Sequence, residues 1–487
     1  MSNVFDACVV GSGIAGLSAA SLLAKEGLKV LVLEQNWIPG GCTSSYPRKG
    51  FVFETGATTL VGLERNMPPG YLFNKLNIEI DAVKLSLPMQ VHLSNGKTIS
   101  RYESLDKWIN EAELKFGAKN QAKFWKFCFD VANFVWDTSL KQKSFPPDSF
   151  SDLFDCAKNA NLKQLQYARY ALKSMKTLLA EYGLLENRTF VNFCNEQLLI
   201  TSQNSIEETN VLFGATALCY TNFPNYYVNG GLINLVNPIV DYIEQNNGEI
   251  SLRTGVTQIE KKADNYVLHT KDNSIKCKFL VSSIPINNTL QLIDFPTRSQ
   301  FNSSNILQSD KLNSAFQMGI AFKDDNQLDA IHHQIHLEKP LVEICSKSIF
   351  LSLSHPNDNS RYKEAGYKVA SISTHVHDPE NNIIENKEAV ESEIINQLEK
   401  IGFLDKQNIA YMHSSTPKAW HKWTQRAFGF VGGYPQYMKT KPWQMLSARL
   451  DGDKAYICGD TTYPGQGIPG AVLSGIIAYE KLKKDHL

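Results

Sequence analysis

The most constraining feature of the chain is the stretch from Val9 to Glu34, in which an apolar strand, a glycine turn, a small-residue helix and a second apolar strand follow one another. Three glycines have the spacing GxGxxG. Gly11 permits a tight turn, Gly13 lets a pyrophosphate approach the backbone, and Gly16 lets the helix pack on the strand. Glu34 stands where a carboxylate accepts hydrogen bonds from the hydroxyls of an adenosine ribose. The stretch therefore predicts a βαβ unit that binds the ADP half of a dinucleotide. A glycine-rich turn in another α/β domain is the alternative.

A second glycine pair, Gly40 and Gly41, follows this acid and precedes the stretch from Gly50 to Thr58. Its position resembles the extension in flavoproteins of the glutathione-reductase-like superfamily, which brings further backbone amides to FAD. No second GxGxxG follows a strand later in the chain, because the glycine pairs at 230–231 and 432–433 have a different spacing. We therefore expect FAD without an NAD(P)H-binding domain. The predicted cofactor contacts in this half are Gly11, Gly13, Ile14, Ala15, Gly16, Glu34, Gln35, Gly40, Gly41, Cys42, Thr43, Gly56, Ala57 and Thr58.

Length and charge narrow the class of protein. With 487 residues the chain is too long for one ordinary core, so two intertwined domains are expected. Lysine plus arginine and aspartate plus glutamate both number 49, and without a basic excess nucleic acid is not an expected partner. The nine cysteines are scattered without a CxxC pair, which favours reduced thiols in a cytosolic protein.

The sequence predicts neither a secretory leader nor a membrane span. The first strand starts within a few residues of Met1, and no run approaches about 18 uninterrupted apolar residues. We therefore expect a cytoplasmic protein that associates peripherally with a membrane surface.

Changes of pattern along the chain predict three regions. Short strands surround the turn at Asn95-Gly96, a helical pattern runs from Ser104 to about Leu199, and strand-like segments occupy most of 312–435. We expect an α/β fold with a Rossmann-like FAD-binding domain, a mixed-sheet substrate domain and a helical, membrane-facing region. The predicted ranges are 1–75, 225–285 and 440–487 for the FAD-binding domain, 76–103 and 286–439 for the substrate domain, and 104–224 for the helical subdomain.

One helical segment combines apolar and basic residues. Its apolar stripe is Leu162, Leu165, Leu172, Met175, Leu179 and Tyr182, and the lysines and arginine beside it are Lys163, Arg169, Lys173 and Lys176. Such a basic amphipathic helix can rest on an anionic membrane face. An ordinary surface helix with solvated lysines is the alternative.

The C-terminal stretch carries a family resemblance. From Tyr456 to Gly475 it is Tyr-Ile-Cys-Gly-Asp-Thr-Thr-Tyr-Pro-Gly-Gln-Gly-Ile-Pro-Gly-Ala-Val-Leu-Ser-Gly. It resembles the closing motif of the carotenoid desaturase and carotenoid isomerase family, and the segments 416–420 and 429–436 resemble those that precede it there. With the N-terminal fingerprint and the helix start at 229–231, the four blocks come in family order and span the chain.

The resemblance implies further contacts with the cofactor. Asp460 is expected to accept hydrogen bonds from the ribityl hydroxyls, and the amides of Gly467 and Ile468 to point at the pyrimidine edge of the flavin, where a positive helix end stabilises the charge of reduction. Val256 is expected to present backbone groups to the adenine. The remaining predicted contacts are Gly459 and Pro469 for the cofactor, and Trp420, Gly432, Gly433 and Gln436 for the substrate pocket.

The chain departs from the family pattern in one place. Many bacterial phytoene desaturases of this family have arginine after the early glycine pair, whereas this chain has Cys42-Thr43-Ser44-Ser45. That segment is closer to the isomerase branch and to desaturases that act late, at chain ends.

The resemblance implies an FAD-dependent oxidoreductase that desaturates a carotenoid by hydride transfer to the flavin and loss of a proton from the neighbouring carbon. We expect a late step, such as 3,4-desaturation of a 1-hydroxylated acyclic end, with oxygen or a quinone as external electron acceptor. The alternatives are a cis–trans isomerase that uses reduced FAD, a retinol-saturase-like reductase and an amine oxidase. A non-catalytic lipid carrier of the GDP-dissociation-inhibitor type is the alternative outside the enzymes.

No acid–base residue is assigned from the sequence. His332, His333 and His336 have a spacing that places two of them on one helix face, but no acidic or cysteine partner is evident, so a solvated polar segment is expected and no metal site. His375 and His377 are predicted on one face of a strand, and His421 lies among aromatic residues.

Overall fold

The computed structural model describes residues 4–160, 166–323, 329–364 and 366–487. Two seven-stranded sheets organise these ranges, together with a two-stranded and a three-stranded sheet. The strands in chain order are β1 (Val4–Val10), β2 (Val30–Leu33), β3 (Ser45–Arg48), β4 (Phe51–Glu54), β5 (Leu60–Val61), β6 (Ala82–Lys84), β7 (Met89–His92), β8 (Thr98–Arg101), β9 (Asn225–Val228), β10 (Glu249–Ser251), β11 (Val256–Lys262), β12 (Asn265–Thr270), β13 (Ser274–Ser282), β14 (Asn313–Lys323), β15 (His332–His336), β16 (Ser348–Leu353), β17 (Tyr367–His377), β18 (Ile409–Ser415) and β19 (Ala455–Ile457).

The first large sheet has the order β10-β2-β1-β13-β12-β11, and β19 also pairs with β13. The pairs β10–β2, β2–β1, β1–β13 and β13–β19 are parallel, whereas the pairs β11–β12 and β12–β13 are antiparallel. All four residues of β2 are buried, as expected for a parallel strand with helices on both faces. The carboxyl ends of these parallel strands share one edge of the sheet, and this is the edge where open α/β sheets bind ligands.

The α-helices of the described residues are, in chain order, Ile14–Lys25, Pro68–Leu76, Leu105–Phe116, Gln121–Ser139, Phe150–Lys158, Met175–Glu181, Arg188–Ser202, Val211–Leu218, Ile233–Gln245, Ile286–Leu292, Lys387–Lys400, Pro417–Thr424 and Ile468–His486. The first helix is buried on all sides, because its small residues let the C-terminal helix approach closely. A Cβ on Gly475 of that C-terminal helix would stand 2.2 Å from the carbonyl oxygen of Ala15.

The second large sheet has the order β18-β14-β17-β16-β15-β7-β8 and is antiparallel except between β15 and β7. Alternate residues of its strands form a core with the helix Lys387–Lys400, for example Phe316 and Met318 against Ile394 and Leu398. The residues between them point to the other face, which is the face that the cavity described below uses.

The helices between residues 105 and 218 enclose a separate aromatic core. Trp108 and Trp125 lie at its centre, and the buried guanidinium of Arg101 stacks 4.3 Å from the Trp108 ring. In the described part of the chain, no helix is long and apolar enough to cross a membrane.

The predicted basic amphipathic helix is wrong. Leu162, Lys163 and Leu165 lie outside the described residues, and Lys173 has extended backbone after a short 3-10 turn at Arg169–Leu172. The backbone is extended there because the carbonyl of Lys173 accepts a hydrogen bond from the amide of Val211. The hydroxyl of Ser174 then accepts the amide of Thr177 and so caps the next helix, Met175–Glu181. Lys173 pairs with Glu181 and Lys176 with Glu207, so these two lysines are partnered.

The expectation for the three histidines at 332–336 is also wrong. His332, His333 and His336 are buried in β15, between β16 and β7, and do not form a solvated segment. No group of three His, Cys, Asp or Glu side chains in the described ranges can hold a metal ion.

The predicted α/β fold class is confirmed. Every strand of the first large sheet falls within 1–75, 225–285 or 440–487, and every strand of the second falls within 76–103 or 286–439. The domain boundaries and the membrane-facing role of the helical region remain predictions.

Candidate active site

A cavity of about 1620 Å³ lies between the ligand-binding edge of the first sheet and one face of the second. Small-molecule sites usually have roughly 300–1,000 Å³, so this cavity has room for a cofactor and a second ligand. Its wall contains nineteen of the twenty residues that the sequence predicts for the cofactor. These are Gly11, Gly13, Ile14, Ala15, Glu34, Gln35, Gly40, Gly41, Cys42, Thr43, Gly56, Ala57, Thr58, Val256, Gly459, Asp460, Gly467, Ile468 and Pro469.

The carboxylate of Glu34 is held at the end of β2. Its Oε2 accepts hydrogen bonds from the amide and the hydroxyl of Ser12, at 2.9 and 2.8 Å, and its Oε1 accepts the amide of Asn36 at 2.8 Å. Four lone-pair sites on two oxygens leave capacity for a ribose hydroxyl. The three protein donors therefore fix the orientation of a carboxylate that still faces the cavity.

Two predicted glycines do not stand in the wall. A Cβ on Gly16 would lie 2.5 Å from the carbonyl oxygen of Gly11, so this residue lets helix and strand touch behind the cavity. A Cβ on Gly433 would lie 2.2 Å from the carbonyl oxygen of Asp460. The loop packs Gly433 against the strand end, and its assignment to the substrate pocket stays a prediction.

Two helix N-termini open into the cavity. Gly13 precedes the helix Ile14–Lys25, and Gly467, with φ of 81°, precedes the helix Ile468–His486. Unpaired amides at a helix N-terminus carry a partial positive charge and bind anions. The cavity therefore offers two positive helix ends, one at Gly13 and one at Gly467.

Asp460 has a partner that the sequence did not predict. Nη2 of Arg426 donates to both carboxylate oxygens, at 3.1 and 2.8 Å, and the guanidinium lies 4.4 Å from the Phe430 ring. Burial alone would lower the pKa of Arg426, but Asp460 beside it keeps the pKa above its usual value. Burial raises the pKa of the neighbouring Cys42 thiol, although Arg426 opposes this, so Cys42 is a neutral residue of the loop at pH 7.

Ser283, directly after β13, bears on whether the cavity fits FAD. Its buried hydroxyl interacts with the Cys458 thiol and lies 3.9 Å from the position of a Cβ on Gly13. A loop without side chains at the start of a helix leaves room for a bound pyrophosphate beside this hydroxyl. With Glu34 at the ribose position, these donors and acceptors fit FAD.

The far part of the cavity, which we call the helical arm, is lined by the helical region. Its apolar wall residues include Phe134, Val135, Trp136, Phe145, Ala171, Ile200, Leu212, Phe213, Ala217 and Tyr220. The second sheet contributes one face, on which Ala315 pairs with His375 and Gln317 pairs with Ser373. The result is a long apolar space that continues from the cofactor wall.

A polar cluster of Gln203, His375 and Gln466 stands in the same wall. Nε2 of Gln203 lies 3.1 Å from Nε2 of His375. The amide oxygens of Gln203 and Gln466 are buried and have no partner in the described part of the chain. Burial lowers the pKa of His375 to about 4, so its imidazole is neutral at pH 7. The cluster therefore holds two buried, unpaired amide oxygens on residues that line the cavity.

The other predicted pocket residues also reach the cavity. Trp420, Gly432 and Gln436 stand in the wall, and so does His421, whose Nδ1 contacts the carbonyl of Arg426. His375 faces the cavity from β17, whereas His377, at the end of the same strand, is exposed.

The histidines of β15 are buried as well. This burial lowers the pKa values of His332 and His333 to about 3.

Sequence reasoning missed Arg426, Gln203 and Ser283. Arg426 lies between two segments of the family resemblance, and the sequence does not distinguish it from the nearby cations Lys418 and Lys422. Gln203 has no local signal, because it follows the helix Arg188–Ser202 and reaches β17 only through the tertiary fold. Ser283 follows a strand of the dinucleotide sheet, and the end of such a strand is itself a weak signal for a ligand contact.

Comparison with known proteins identifies the class. The model of the family described as flavin containing amine oxidoreductase matches residues 14–480. Prolycopene isomerase of Daucus carota is 25% identical over 99% of this chain and 81% of its own length, and that of Arabidopsis thaliana is 23% identical over 99% and 83%. All-trans-retinol 13,14-reductase of Danio rerio is 27% identical over 52% of this chain and 42% of its own length.

Solved structures support the same fold. Cyclohexylamine oxidase from Brevibacterium oxydans superposes with a TM-score of 0.63 at 14% identity, covering 99% of both chains. A fatty acid isomerase from P. acnes that produces CLA superposes with a TM-score of 0.61 at 11% identity, covering 100% of this chain and 99% of the other.

The fold and the cavity define an FAD-dependent oxidoreductase. The chain belongs to the family of flavin-containing amine oxidoreductases, since the family model matches most of its length. Within that family, the predicted likeness to carotenoid desaturases and isomerases is confirmed by the full-length similarity to prolycopene isomerases.

Proposed function

We propose that this protein acts on the polyene of a carotenoid and desaturates it, with a hydroxylated acyclic end as the substrate group. One observation carries the proposal: the wall that fits FAD and the apolar helical arm belong to the same cavity. A long apolar chain in the helical arm would reach the cofactor wall without leaving the protein.

The residues that would hold FAD are those already placed in the wall. Glu34 would bind the ribose, the loop at Gly13 with Ser283 the pyrophosphate, Asp460 the ribityl chain, and the helix start at Gly467 the pyrimidine edge. When bound, FAD supplies hydride transfer chemistry. Arg426 would neutralise Asp460, so the carboxylate adds no net negative charge beside the redox centre.

The polar cluster supports a hydroxylated substrate. The amide oxygens of Gln203 and Gln466 are buried and unpaired, and a hydroxyl on the carotenoid end would donate to one of them when its side chain turns toward the cavity. Leaving a buried acceptor unpaired costs roughly 1–3 kcal/mol, so a substrate with a hydroxyl at this place is favoured over a hydrocarbon. The cluster therefore positions the chain end and sets which bond lies over the cofactor.

The proposal also includes how substrate and electrons travel. A carotenoid of about forty carbons gains on the order of 20–30 kcal/mol from apolar burial, so uptake from water is too slow and must occur from lipid. Each new double bond releases two electrons, which would pass to oxygen or a quinone. The protein would work in the cytoplasm at a membrane surface.

A second candidate is cis–trans isomerisation, because the relatives that match 99% of this chain are prolycopene isomerases. An isomerase of this kind would use reduced flavin and leave the mass of the substrate unchanged. It would need the same cavity and the same uptake from lipid.

The test is the mass of the product. Purified flavoprotein is incubated anaerobically with hydroxylated and unhydroxylated carotenoids, with and without a quinone, and with oxidised or reduced flavin. Quinone-dependent loss of two hydrogens from the hydroxylated substrate supports desaturation. A product of unchanged mass, formed only with reduced flavin, establishes the isomerase, and a gain of two hydrogens establishes a retinol-saturase-like reductase. Protein that carries no flavin and converts nothing would be a lipid carrier.

A further inference from the structure

The helix Phe150–Lys158 is amphipathic, but its apolar face points to solvent and its charged face points into the protein. Phe150, Leu153, Phe154 and Ala157, which we call the outer stripe, follow the i, i+3, i+4, i+7 spacing of one helix face. All four are exposed, and the three large side chains are 93%, 54% and 69% exposed. A helix of a water-soluble surface presents such a stripe to the core, whereas this one presents it outward.

The inward face of the same helix is charged and fixed. Asp152 is fully buried, where its carboxylate contacts Arg449 at 2.5 Å, Lys484 at 3.0 Å and Lys481 at 3.1 Å. Asp155, one turn along, contacts Lys484 at 2.5 Å. Rotating the helix to bury the stripe would break these ion pairs and leave buried cations unpaired. The outward orientation of the stripe is therefore built into the fold.

The helix also belongs to the proposed substrate site. Cys156, on the flank between the stripe and the charged face, stands in the wall of the cavity, as does Phe145 a few residues earlier. One helix thus has an apolar face in solvent, a charged face against the C-terminal helix, and a side chain in the cavity. The exposed stripe lies next to the space that would hold an apolar substrate.

We infer that the outer stripe is a membrane-docking element, which inserts Phe150, Leu153 and Phe154 into the interfacial region of a lipid bilayer. This rests on the proposed function, because lipid is where a carotenoid resides. A second copy of the chain is less suited to cover the outer stripe, since a stable protein interface needs roughly 20–30 residues a side and the stripe has four. A bilayer accepts a short apolar stripe by itself, and the exposed Lys158 at the helix end suits anionic headgroups.

The first test is flotation of the flavin-loaded protein with vesicles of phosphatidylcholine and phosphatidylglycerol. The variant is Phe150→Ser with Phe154→Ser. The matched control is Leu114→Ser, which removes a leucine that is 75% exposed on the helix Leu105–Phe116. We expect the parent and the control to float and the double variant to bind vesicles at least tenfold more weakly, with unchanged flavin absorbance and melting temperature. Equal flotation of all three proteins would overturn the inference.

A second measurement keeps the inference testable if the double variant folds poorly. Phe154→Trp and Leu114→Trp each add one tryptophan, and brominated lipids quench tryptophans that enter the bilayer. We expect quenching of the added fluorescence only for Phe154→Trp. A parent protein that forms dimers which the double variant dissociates, and that leaves Phe154→Trp unquenched, would show a self-association face instead.

Turnover separates this inference from the proposed function. If both hold, the double variant converts carotenoid dispersed in detergent at the parental rate and loses most activity on carotenoid in vesicles. Parental rates on both preparations would overturn the docking role while the proposed function stands. If the parent converts no carotenoid in either form, the proposed function fails, and flotation still decides the docking role.

Discussion

The nucleotide end of the cavity and its helical arm are built from different parts of the polypeptide. The nucleotide end is mainly backbone, with glycine loops and the starts of the helices Ile14–Lys25 and Ile468–His486. The helical arm is side chains, such as Trp136 and Phe213. Backbone recognition of a phosphate demands particular residue types at fixed spacing, whereas an apolar wall demands volume and hydrophobicity. We therefore expect small substitutions at the nucleotide end to abolish FAD binding. In the helical arm, we expect only substitutions that change side-chain volume to impair turnover.

The largest effect is expected from Gly13→Leu. A Cβ at this position meets only Ser283 Oγ, at 3.9 Å, so the chain should fold, but the new side chain occupies the place of the pyrophosphate. We expect FAD affinity to fall about a hundredfold or more, which is ~2.8 kcal/mol, and the purified protein to be nearly colourless. Gly16→Leu is the contrast, because its side chain clashes with Gly11 and Ser283 at 2.5–2.6 Å and should prevent folding. Stoichiometric FAD in Gly13→Leu would contradict the assignment of the loop.

Glu34→Ala should have the next largest effect. It removes charged hydrogen bonds to the ribose worth roughly 1.5–3 kcal/mol, so FAD should dissociate about 10–150 times more readily. Glu26→Ala is the matched control, since Glu26 follows the helix Ile14–Lys25 at the end away from the glycine loop, where it binds Lys483 and Tyr479. Fluorescence titration of the apoprotein with FAD measures both. Equal affinities for the two variants would show that Glu34 does not bind the cofactor.

Thr216→Trp tests the helical arm. Thr216 stands in the cavity wall on the helix Val211–Leu218, and a tryptophan there would fill space that a long polyene needs. We expect turnover of a carotenoid to fall about tenfold, a loss of ~1.4 kcal/mol, with normal flavin content. Leu212→Met conserves volume and should change turnover less, because such exchanges usually cost under about 1.5 kcal/mol. If Thr216→Trp also lost FAD, the two ends of the cavity would not respond separately to substitution, which would contradict this comparison.

The last prediction concerns acid stability on the substrate side. Burial lowers the pKa of His375 to about 4, below the value of about 6.5 in an unfolded chain, so unfolding takes up a proton between these values. The contribution of His375 to the free energy of unfolding has its full value above about pH 6.5. It decreases by ~1.4 kcal/mol per pH unit as the pH falls toward 4. Urea unfolding at pH 7 and pH 5 should show a smaller loss of stability for His375→Gln than for the parent. Identical losses would mean that His375 does not carry this dependence.

The same contrast explains what could be predicted from the sequence. The βαβ unit and the start of the last helix were predicted at single-residue level, because each depends on residues close together in the chain. Val256 was placed in the cavity wall through the family resemblance, and nothing in its own segment indicated it.

The failures concern residues whose environment is tertiary. The helix expected across Lys173 ends because Asn210 and Val211 pair with the backbone at 173–174, and no pattern within the segment shows that neighbour. His332 to His336 were expected in solvent because they are polar, but side chains from distant parts of the chain cover the faces of β15, such as Phe403 against His333 and Phe350 against His332.

The buried contact between Asp152 and Arg449 has a consequence for how the chain assembles. The two residues are 297 positions apart, and Lys481 and Lys484 are later still. During synthesis, Asp152 therefore has none of these cations until nearly the whole chain has been made, while Phe150 and Phe154 are already outside the ribosome. The helix that carries them can acquire its final orientation only after the last helix is complete. A nascent or C-terminally truncated chain would thus expose these aromatic residues without the ion pairs that orient them, and we expect it to be a preferred client of chaperones.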